Sequence, residues 1–357
     1  MFSGCYTALI TPLNATKGVD EAGLEKLVTF QVSHGVSGVL AVGTTGESPT
    51  LNWEEHNSIT EKVCQLVKGH CRAIAGTGSN STEETLRATE HAAHAGADTA
   101  LLVDPYYNGP SSLEIRKEYV APVAEAFPEI EMIPYVIPGR SGTKLLPEDL
   151  AILNQDFANV NTVKEATGDL ENMARTREVC GDDFNILSGD DDITYKMMTN
   201  DRIRASGVIS VMSNVVPGPI QQFTEALNNG DMTKANQLAD ALKPLFSMVT
   251  IISEQDTPFG STQVKARNPL PIKTLMSILG MPSGPCRRPL GKMNQSGLGA
   301  VLEIARTVQS NNPEVFAPIA DFFGVNIARF KFSCCAKRRL HGSFSVLGDE
   351  NQTCTGR

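Results

Sequence analysis

Lys164 is a lysine inside a short apolar segment, residues 160–165, which the sequence predicts to be a buried strand. Burial disfavours the charged ammonium and lowers the pKa of a lysine. A neutral amine can attack a carbonyl carbon and form a Schiff base. Lys164 therefore indicates covalent carbonyl chemistry. On position alone, a strand-end lysine that pairs with a carboxylate is an equally good interpretation.

Three hydroxyl side chains follow other predicted strands: Thr45, Tyr107 and Tyr135. Imine formation and carbon–carbon bond chemistry require protons to move to and from oxygen and carbon, and a phenol with a nearby hydroxyl can relay them. Any one of the three alone is more typical of packing at the rim of a sheet. The three together favour a proton relay.

Two turns offer groups that bind carboxylates. Thr44 and Thr45 lie in a glycine-bounded turn, whose backbone N–H groups can form an anion nest. Arg140 follows a Pro-Gly pair and carries the planar guanidinium that binds carboxylates in a bidentate manner. The sequence thus predicts a site for carboxylate-bearing carbonyl compounds.

These residues require a scaffold, and apolar segments alternate with amphipathic helical patterns along the chain. The predicted strands are 5–11, 36–42, 71–76, 99–104, 131–136, 160–165, 184–189 and 207–212. The predicted helices between and after them are 21–32, 53–67, 82–95, 112–127, 170–180 and 221–228. Strands that alternate with helices pair in parallel, and eight such units predict a closed (β/α)8 TIM barrel over residues 1–229.

In that barrel the reactive groups belong at the carboxyl ends of the strands. An open doubly wound sheet is the alternative. It is disfavoured because no glycine-rich dinucleotide loop follows the first strand.

Beyond residue 229 the pattern changes. Helical stretches at 232–252, 272–279 and 296–309, without strands, predict a C-terminal helical appendix over residues 230–326. Residues 327–357 carry six Lys or Arg against two acidic residues and show no periodicity. They are predicted to be a disordered basic tail, with a docked extension as the alternative.

Composition excludes several classes of protein. The chain of 357 residues has a net charge of −9, which argues against nonspecific nucleic-acid binding. No apolar run approaches the ~20 residues of a membrane span, and Pro12 follows too early for a signal peptide, so we expect a cytoplasmic protein. The cysteines lack zinc-site spacing, and His91 and His94 have no partner at ligand spacing. We expect no metal and no cofactor.

Four motifs occur in order at predicted strand ends: Gly43-Thr44-Thr45-Gly46-Glu47-Ser48, Tyr135 through Gly142, Lys164 through Asp169, and Ser188-Gly189-Asp190-Asp191. Together they resemble the dihydrodipicolinate synthase and N-acetylneuraminate lyase family of class I aldolase barrels, and most closely its dihydrodipicolinate synthase branch. The resemblance runs from about residue 4 to residue 326. It implies condensation of pyruvate with aspartate semialdehyde in lysine and diaminopimelate biosynthesis, by a homotetramer built as a dimer of dimers.

The resemblance also implies roles for individual residues. Lys164 forms the imine with pyruvate, and Tyr135 is the proton-transferring phenol. Thr45 links Tyr135 to Tyr107, which in the family reaches in from a neighbouring subunit. The remaining implied contacts are Thr44 and Thr45 with the pyruvate carboxylate, Arg140 with the carboxylate of the second substrate, and the backbones of Gly189 and Ile209 along the pyruvate pocket.

Two alternatives stay open. A sister enzyme, either an N-acetylneuraminate lyase or a 2-keto-3-deoxy sugar acid aldolase, would use the same Lys164 and Tyr135. Arg140 favours a small acidic aldehyde over a polyhydroxylated sugar. A non-catalytic regulatory barrel is the second alternative, and it would predict damage to the catalytic set, which the sequence does not show.

A second group of side chains resembles the positions where family members bind the end product lysine at a subunit interface: Ser48, Trp53, His56, Asn80, Glu84 and Tyr106. Glu84 suits an ammonium, Asn80 and Tyr106 suit a carboxylate, and Trp53 offers an apolar wall. We therefore expect lysine feedback inhibition. Capping and interface packing are the alternative interpretation of these residues.

Overall fold

A computed structural model describes residues 2–327, and its central feature is a closed barrel of eight parallel strands. All eight predicted strands are present, in sequence order around the barrel. They are β1 (Gly4–Ala8), β2 (Gly38–Ala41), β3 (Arg72–Gly76), β4 (Thr99–Val103), β5 (Glu131–Val136), β6 (Thr162–Glu165), β7 (Asn185–Ser188) and β8 (Gly207–Ser210). Pairing of β8 with β1 closes the barrel, so the predicted fold class is confirmed.

Alternation along each strand sorts side chains into two layers, because successive residues of a strand point to opposite faces. In β5, Ile133 and Tyr135 belong to the cluster that fills the barrel interior. Their neighbours Met132 and Val136 belong to the outer cluster beneath the helices. Val163 in β6 also lies in that outer layer, which places the adjacent Lys164 on the interior side.

The six predicted helices are present around the barrel, and the structure adds three that were not predicted. The helices are α1 (Glu21–Ser33), α2 (Trp53–Val67), α3 (Thr82–Ala95), α4 (Ser112–Glu114), α5 (Ala121–Ala126), α6 (Pro138–Ser141), α7 (Pro147–Asp156), α8 (Leu170–Cys180), α9 (Thr194–Thr199) and α10 (Pro217–Asn228). A π-helical segment, Ile115–Val120, joins α4 to α5, so the predicted helix 112–127 is divided into three parts. The helices that were not predicted are α6, α7 and α9. Side-chain caps fix several starts, as where Asn52 and Glu55 form a capping box at α2.

Residues 230–327 contain four α-helices and a hairpin that was not predicted. The helices are α11 (Met232–Phe246), α12 (Leu270–Ile278), α13 (Gln295–Asn311) and α14 (Ala317–Phe323). The prediction of a helix to residue 252, in a region without strands, was wrong. An antiparallel hairpin of β9 (Thr250–Thr257) and β10 (Gly260–Arg267) occupies that stretch. Ile251 and Ser253 are buried and Ile252 is exposed, which is the period of a strand.

By contacts, the chain divides into two compact units. One comprises the residues up to Ile10 together with Glu25–Asp240, and the other comprises Thr11–Leu24 together with the residues from Ala241 onward. A boundary after residue 229 stays a proposal. The predicted tail, apart from Ile327, lies outside the described residues. Within residues 2–327, no helix is long and apolar enough to cross a membrane.

Candidate active site

The turn that follows β2 carries the two threonines and has an unusual backbone. Val42 adopts a φ of 47°, a left-handed conformation that is rare for a β-branched residue. Gly76, at the end of β3, lies directly beside it: a Cβ on Gly76 would sit 2.7 Å from the Val42 carbonyl oxygen. Only glycine fits there without displacing the turn. The close approach thus fixes the backbone that presents Thr44 and Thr45.

Lys164 lies inside the barrel beside Tyr135, which is its register partner on β5. The Lys164 Nζ is 4.0 Å from the centroid of the Tyr135 ring, and only 5% of the lysine is exposed. The pKa of Lys164 is lowered to about 7, mainly by burial and to a smaller extent by Arg140, while the carboxylates of Asp190 and Asp191 oppose the shift. A substantial fraction of the amine is therefore neutral at physiological pH.

Tyr135 is buried next to this amine, and its side chain shares a hydrogen bond with Thr44. Burial and the nearby charge of Asp190 raise the pKa of Tyr135, while Arg140 and the Thr44 hydrogen bond act in the opposite direction. The phenol stays protonated at neutral pH and can donate its proton. The resemblance implied that Thr45 is the neighbour of Tyr135, whereas the structure places the Thr44 side chain in this hydrogen bond.

A cavity of about 190 Å³ opens beside these groups. Its wall includes Thr44, Tyr135 and Arg140, with Leu101 and Val103 as apolar surface. Arg140 lies on α6, the short helix directly after β5. The cavity therefore brings a hydroxyl pair and a guanidinium together at the carboxyl ends of the strands.

Gly189 lies close to Lys164, and Ile209 lies in the barrel interior; their place along the pyruvate pocket stays a prediction. A Cβ on Gly189 would sit 2.7 Å from the Ala166 Cβ and 3.3 Å from the Lys164 Cε, so the backbone here closely approaches the lysine. The Gly189 N–H donates to the Glu165 carbonyl at 2.7 Å. Ile209 is buried in the interior cluster that contains Tyr135.

Two acidic residues that received no role in the sequence analysis also belong to this region. The Asp191 carboxylate accepts hydrogen bonds from the Ser210 hydroxyl and from the N–H groups of Val211, at 2.9 Å, and Met212, at 3.2 Å. Asp191 thus ties the end of β7 to the end of β8. Asp190 is half-buried near Lys164, and burial raises its pKa to about 6. Three consecutive acids after a predicted strand, Asp190, Asp191 and Asp192, were the available signal.

The six residues of the predicted lysine site form local groups. The Asn80 Oδ1 accepts from the Tyr106 N–H at 2.7 Å, and the Glu84 charge contributes to raising the pKa of Tyr106. The Trp53 and His56 rings meet edge to face with centroids 5.0 Å apart. Ser48 and Tyr106 both line the cavity described above.

His56 is neutral at physiological pH, because burial lowers its pKa to about 4. Its Nε2 lies 3.0 Å from the Gly76 carbonyl oxygen. This contact connects α2 to the glycine beside the catalytic turn.

Tyr107 is separated from the other catalytic candidates within this chain. It is 88% exposed, whereas Tyr135 is 4% exposed. The adjacent Tyr106 contributes to the cavity wall, and Tyr107 does not. A role for Tyr107 in the relay stays a prediction that requires a second subunit.

Comparison with known proteins decides the family. The sequence model described as the Dihydrodipicolinate synthetase family matches residues 1–308. The chain belongs to this family. Its members include a 4-hydroxy-tetrahydrodipicolinate synthase of Geotalea daltonii, 40% identical over 307 residues, which cover 86% of this chain and 98% of the relative. The enzyme of the same name from Methanococcus maripaludis is 38% identical over 293 residues, which cover 82% of this chain and 94% of the relative.

Solved structures of the family agree with the barrel described above. DHDPS from Cyanidioschyzon merolae, solved with lysine bound, is 34% identical and superposes with a TM-score of 0.78. The match covers 86% of this chain and 98% of that one. The dihydrodipicolinate synthase of Aquifex aeolicus gives the same identity and TM-score, over 88% of this chain and 100% of its own.

Proposed function

We propose that this protein condenses pyruvate with aspartate semialdehyde to 4-hydroxy-tetrahydrodipicolinate, through a Schiff base on Lys164. The observation that carries the proposal is the buried Lys164 amine, with its pKa lowered to about 7, next to a protonated Tyr135. Relatives at 38–40% identity are named for this reaction. The reaction belongs to lysine and diaminopimelate biosynthesis.

The steps follow from the chemistry of a neutral buried amine. The Lys164 nitrogen adds to the carbonyl carbon of pyruvate, and loss of water leaves an iminium. A methyl proton then leaves, and the resulting enamine carbon adds to the aldehyde. The amine of the second substrate finally displaces Lys164 from the former carbonyl carbon, which closes the ring and frees the lysine.

Other residues of the site bind or move protons in these steps. Tyr135, with Thr44, supplies and recovers protons at the substrate oxygens. Backbone N–H groups of the Thr44-Thr45 turn hold the pyruvate carboxylate, and the backbones of Gly189 and Ile209 bound the pocket. Arg140 on the cavity wall takes the carboxylate of the aldehyde substrate.

The structure contains an internal control for a trapping experiment, because a second lysine is also buried. The Lys273 Nζ donates to the carbonyl oxygens of Thr11, at 3.0 Å, and Pro285, at 3.2 Å. Incubation with pyruvate and borohydride, followed by peptide mapping, should label Lys164 and leave Lys273 unlabelled. A non-catalytic barrel would give no label at either lysine.

The trapping experiment does not distinguish the sister aldolases, so the aldehyde must be varied. With pyruvate saturating, aspartate semialdehyde should be consumed faster than N-acetylmannosamine or sugar-derived aldehydes. Arg140 favours this outcome, because a small acidic aldehyde needs a guanidinium partner. Faster consumption of a sugar would assign the protein to the lyase branch.

We propose that lysine inhibits the enzyme at the second group of residues, Ser48, Trp53, His56, Asn80, Glu84 and Tyr106. A lysine-bound structure of a 34% identical family member supports this proposal. Tyr106 lines the catalytic cavity and is adjacent to Tyr107, which offers a route from bound lysine to the relay.

Millimolar or lower lysine should inhibit without displacing pyruvate from Lys164. Glu84→Ala should remove this inhibition. Glu83→Ala should retain it, since Glu83 forms an exposed ion pair with Arg87. Inhibition that competes simply with pyruvate would contradict the proposal.

We also propose a cytoplasmic homotetramer, a dimer of dimers, in which Tyr107 completes the site of a neighbouring subunit. Its 88% exposure in the single chain supports this arrangement. Mixing inactive Lys164→Ala and Tyr107→Phe subunits tests it, because some sites in the mixed oligomer would combine an intact Lys164 with an intact Tyr107. Recovery of activity is the expected result. No recovery in oligomers shown to be mixed would contradict the exchange of Tyr107.

A further inference from the structure

The second substrate of the proposed reaction carries three recognisable groups: an aldehyde, a carboxylate and an ammonium. In the proposed function, Arg140 binds the carboxylate. An ammonium near a partly desolvated site needs a carboxylate partner, because a buried unpaired charge is costly. The site therefore requires an acidic side chain that faces the substrate and still has free acceptor capacity.

Asp190 and Asp191 both act on the pKa of Lys164, and they differ in the hydrogen bonds that their carboxylates accept. Asp191 is buried, and both of its oxygens accept hydrogen bonds from the end of β8 and the residues that follow. At Asp190 the hydrogen bonds are made by the main chain. The Asp190 carbonyl oxygen accepts from the hydroxyls of Ser188 and Thr194, each at 2.8 Å. Within residues 2–327, no hydrogen bond is donated to the Asp190 carboxylate. Hydrogen bonds therefore hold the Asp190 backbone in place, and its carboxylate oxygens remain available to accept from a ligand.

Asp190 directly follows Gly189, the residue whose backbone approaches the lysine: a Cβ on Gly189 would sit 3.3 Å from the Lys164 Cε. The charge of Asp190 acts on both Lys164 and Tyr135. The Arg140 guanidinium in turn acts on Asp190. Asp190 is half-buried, so water is partly excluded around it while a ligand can still reach it. One anionic and one cationic side chain therefore lie close to the reacting amine.

We propose that the Asp190 carboxylate binds the ammonium group of the aldehyde substrate while Arg140 binds its carboxylate. This inference rests on the proposed function. It makes Asp190 the residue that selects an amino-acid aldehyde over an aldehyde acid without an amine. It also orients the nitrogen toward the imine carbon, which the nitrogen attacks after the ammonium has released a proton to solvent.

A different role for Asp190 makes a different prediction. If Asp190 only balanced the charge of Lys164, its removal would change the reaction of the enamine with every aldehyde to the same extent. The amine of the substrate is therefore the variable to test, with 4-oxobutanoate as the analogue that lacks only this group.

The experiment compares wild type, Asp190→Asn and the control Asp192→Asn, which removes the same charge from an exposed neighbour. The enzyme is first loaded with pyruvate, and the second-order rate constant for consumption of the aldehyde is measured in a single turnover, because 4-oxobutanoate has no amine with which to release Lys164. The comparison of aspartate semialdehyde with 4-oxobutanoate is made at about pH 8, where Asp190 with its pKa of about 6 is ionised. Asp190→Asn should lose roughly 10- to 100-fold in this rate constant with aspartate semialdehyde, the range for a charged hydrogen bond, and little with 4-oxobutanoate. The control should keep the wild-type preference.

Borohydride trapping with pyruvate verifies that Asp190→Asn is folded, and Asp190→Ser serves as a second variant. Equal loss with both aldehydes, or an unchanged preference, would overturn the assignment of Asp190. Wild type that consumes no aspartate semialdehyde would instead refute the proposed function. The two failures are therefore distinguishable.

Discussion

Asp104 carries a buried carboxyl group. Replacing it by asparagine should increase the free energy of unfolding relative to wild type, and this gain should grow as the pH rises. Asp104 follows β4 and is fully buried. Its Oδ2 accepts from the Leu145 N–H at 3.1 Å, whereas its Oδ1 is buried and has no hydrogen-bond partner among residues 2–327. Burial raises the pKa of Asp104 from 3.8 to about 8, the Leu145 hydrogen bond opposes this rise, and the nearby Glu165 adds to it.

The sign of the effect follows from proton linkage. Between the unfolded pKa and the raised folded pKa, the native state holds a proton that the unfolded state has lost. Stability is therefore lost as the pH rises through this interval, at about 1.4 kcal/mol per pH unit. Between about pH 5 and about pH 7, the free energy of unfolding of the wild type should fall by roughly 2–3 kcal/mol through this group. Asp104→Asn should not show this fall.

Urea unfolding of both proteins at several pH values, at one fixed protein concentration, measures this difference. Asp183→Asn is the control, since Asp183 is exposed. The advantage of Asp104→Asn over wild type should grow with pH, and that of the control should not. An advantage that is constant or shrinks with pH would show that Asp104 is ionised in the native protein.

Three further predictions concern the site directly. The rate of pyruvate trapping should rise with pH with a midpoint near 7. At that pH about half of the Lys164 amine is neutral, compared with roughly one in 3,000 for an ordinary lysine. A midpoint near 10 would contradict the lowered pKa. Arg140→Ala should weaken use of the aldehyde by roughly 1.5–3 kcal/mol, measured by kcat/KM, and leave pyruvate trapping nearly unchanged; equal damage to both steps would make Arg140 structural. Gly76→Ala should cost roughly 1–3 kcal/mol in urea unfolding and slow trapping, because its Cβ would lie 2.7 Å from the Val42 carbonyl oxygen; unaltered stability and rate would show that the turn accommodates the methyl group.

The barrel could be predicted from the sequence because short apolar segments and helix caps are local signals. Strand β5 and helix α2 have the predicted bounds, Glu131–Val136 and Trp53–Val67. The β9–β10 hairpin was missed because the apolar residues of α11 continue without a break into Ile251 and Ile252. The pairing of β9 with β10 and its packing against α13 distinguish the strand from a longer helix.

The candidate site was predictable in its residue types and less so in its geometry. Lys164, Tyr135 and Arg140 stood out as chemical groups at strand ends. The sequence did not show which of the adjacent Thr44 and Thr45 reaches Tyr135, because that depends on the backbone conformation of the turn, which includes a left-handed residue at Val42. The contrast between Asp190 and Asp191 likewise depends on which carboxylate the end of β8 engages.

Covalent trapping tests the central claim most directly. Wild type and Lys164→Ala are incubated with pyruvate and borohydride, and the intact mass and the modified peptide are determined. The wild type should gain one reduced pyruvate per chain on Lys164, and Lys164→Ala should gain none while its circular dichroism stays unchanged. Labelling at any other lysine, or a wild type that pyruvate does not label, would contradict the assignment of Lys164 as the Schiff-base residue.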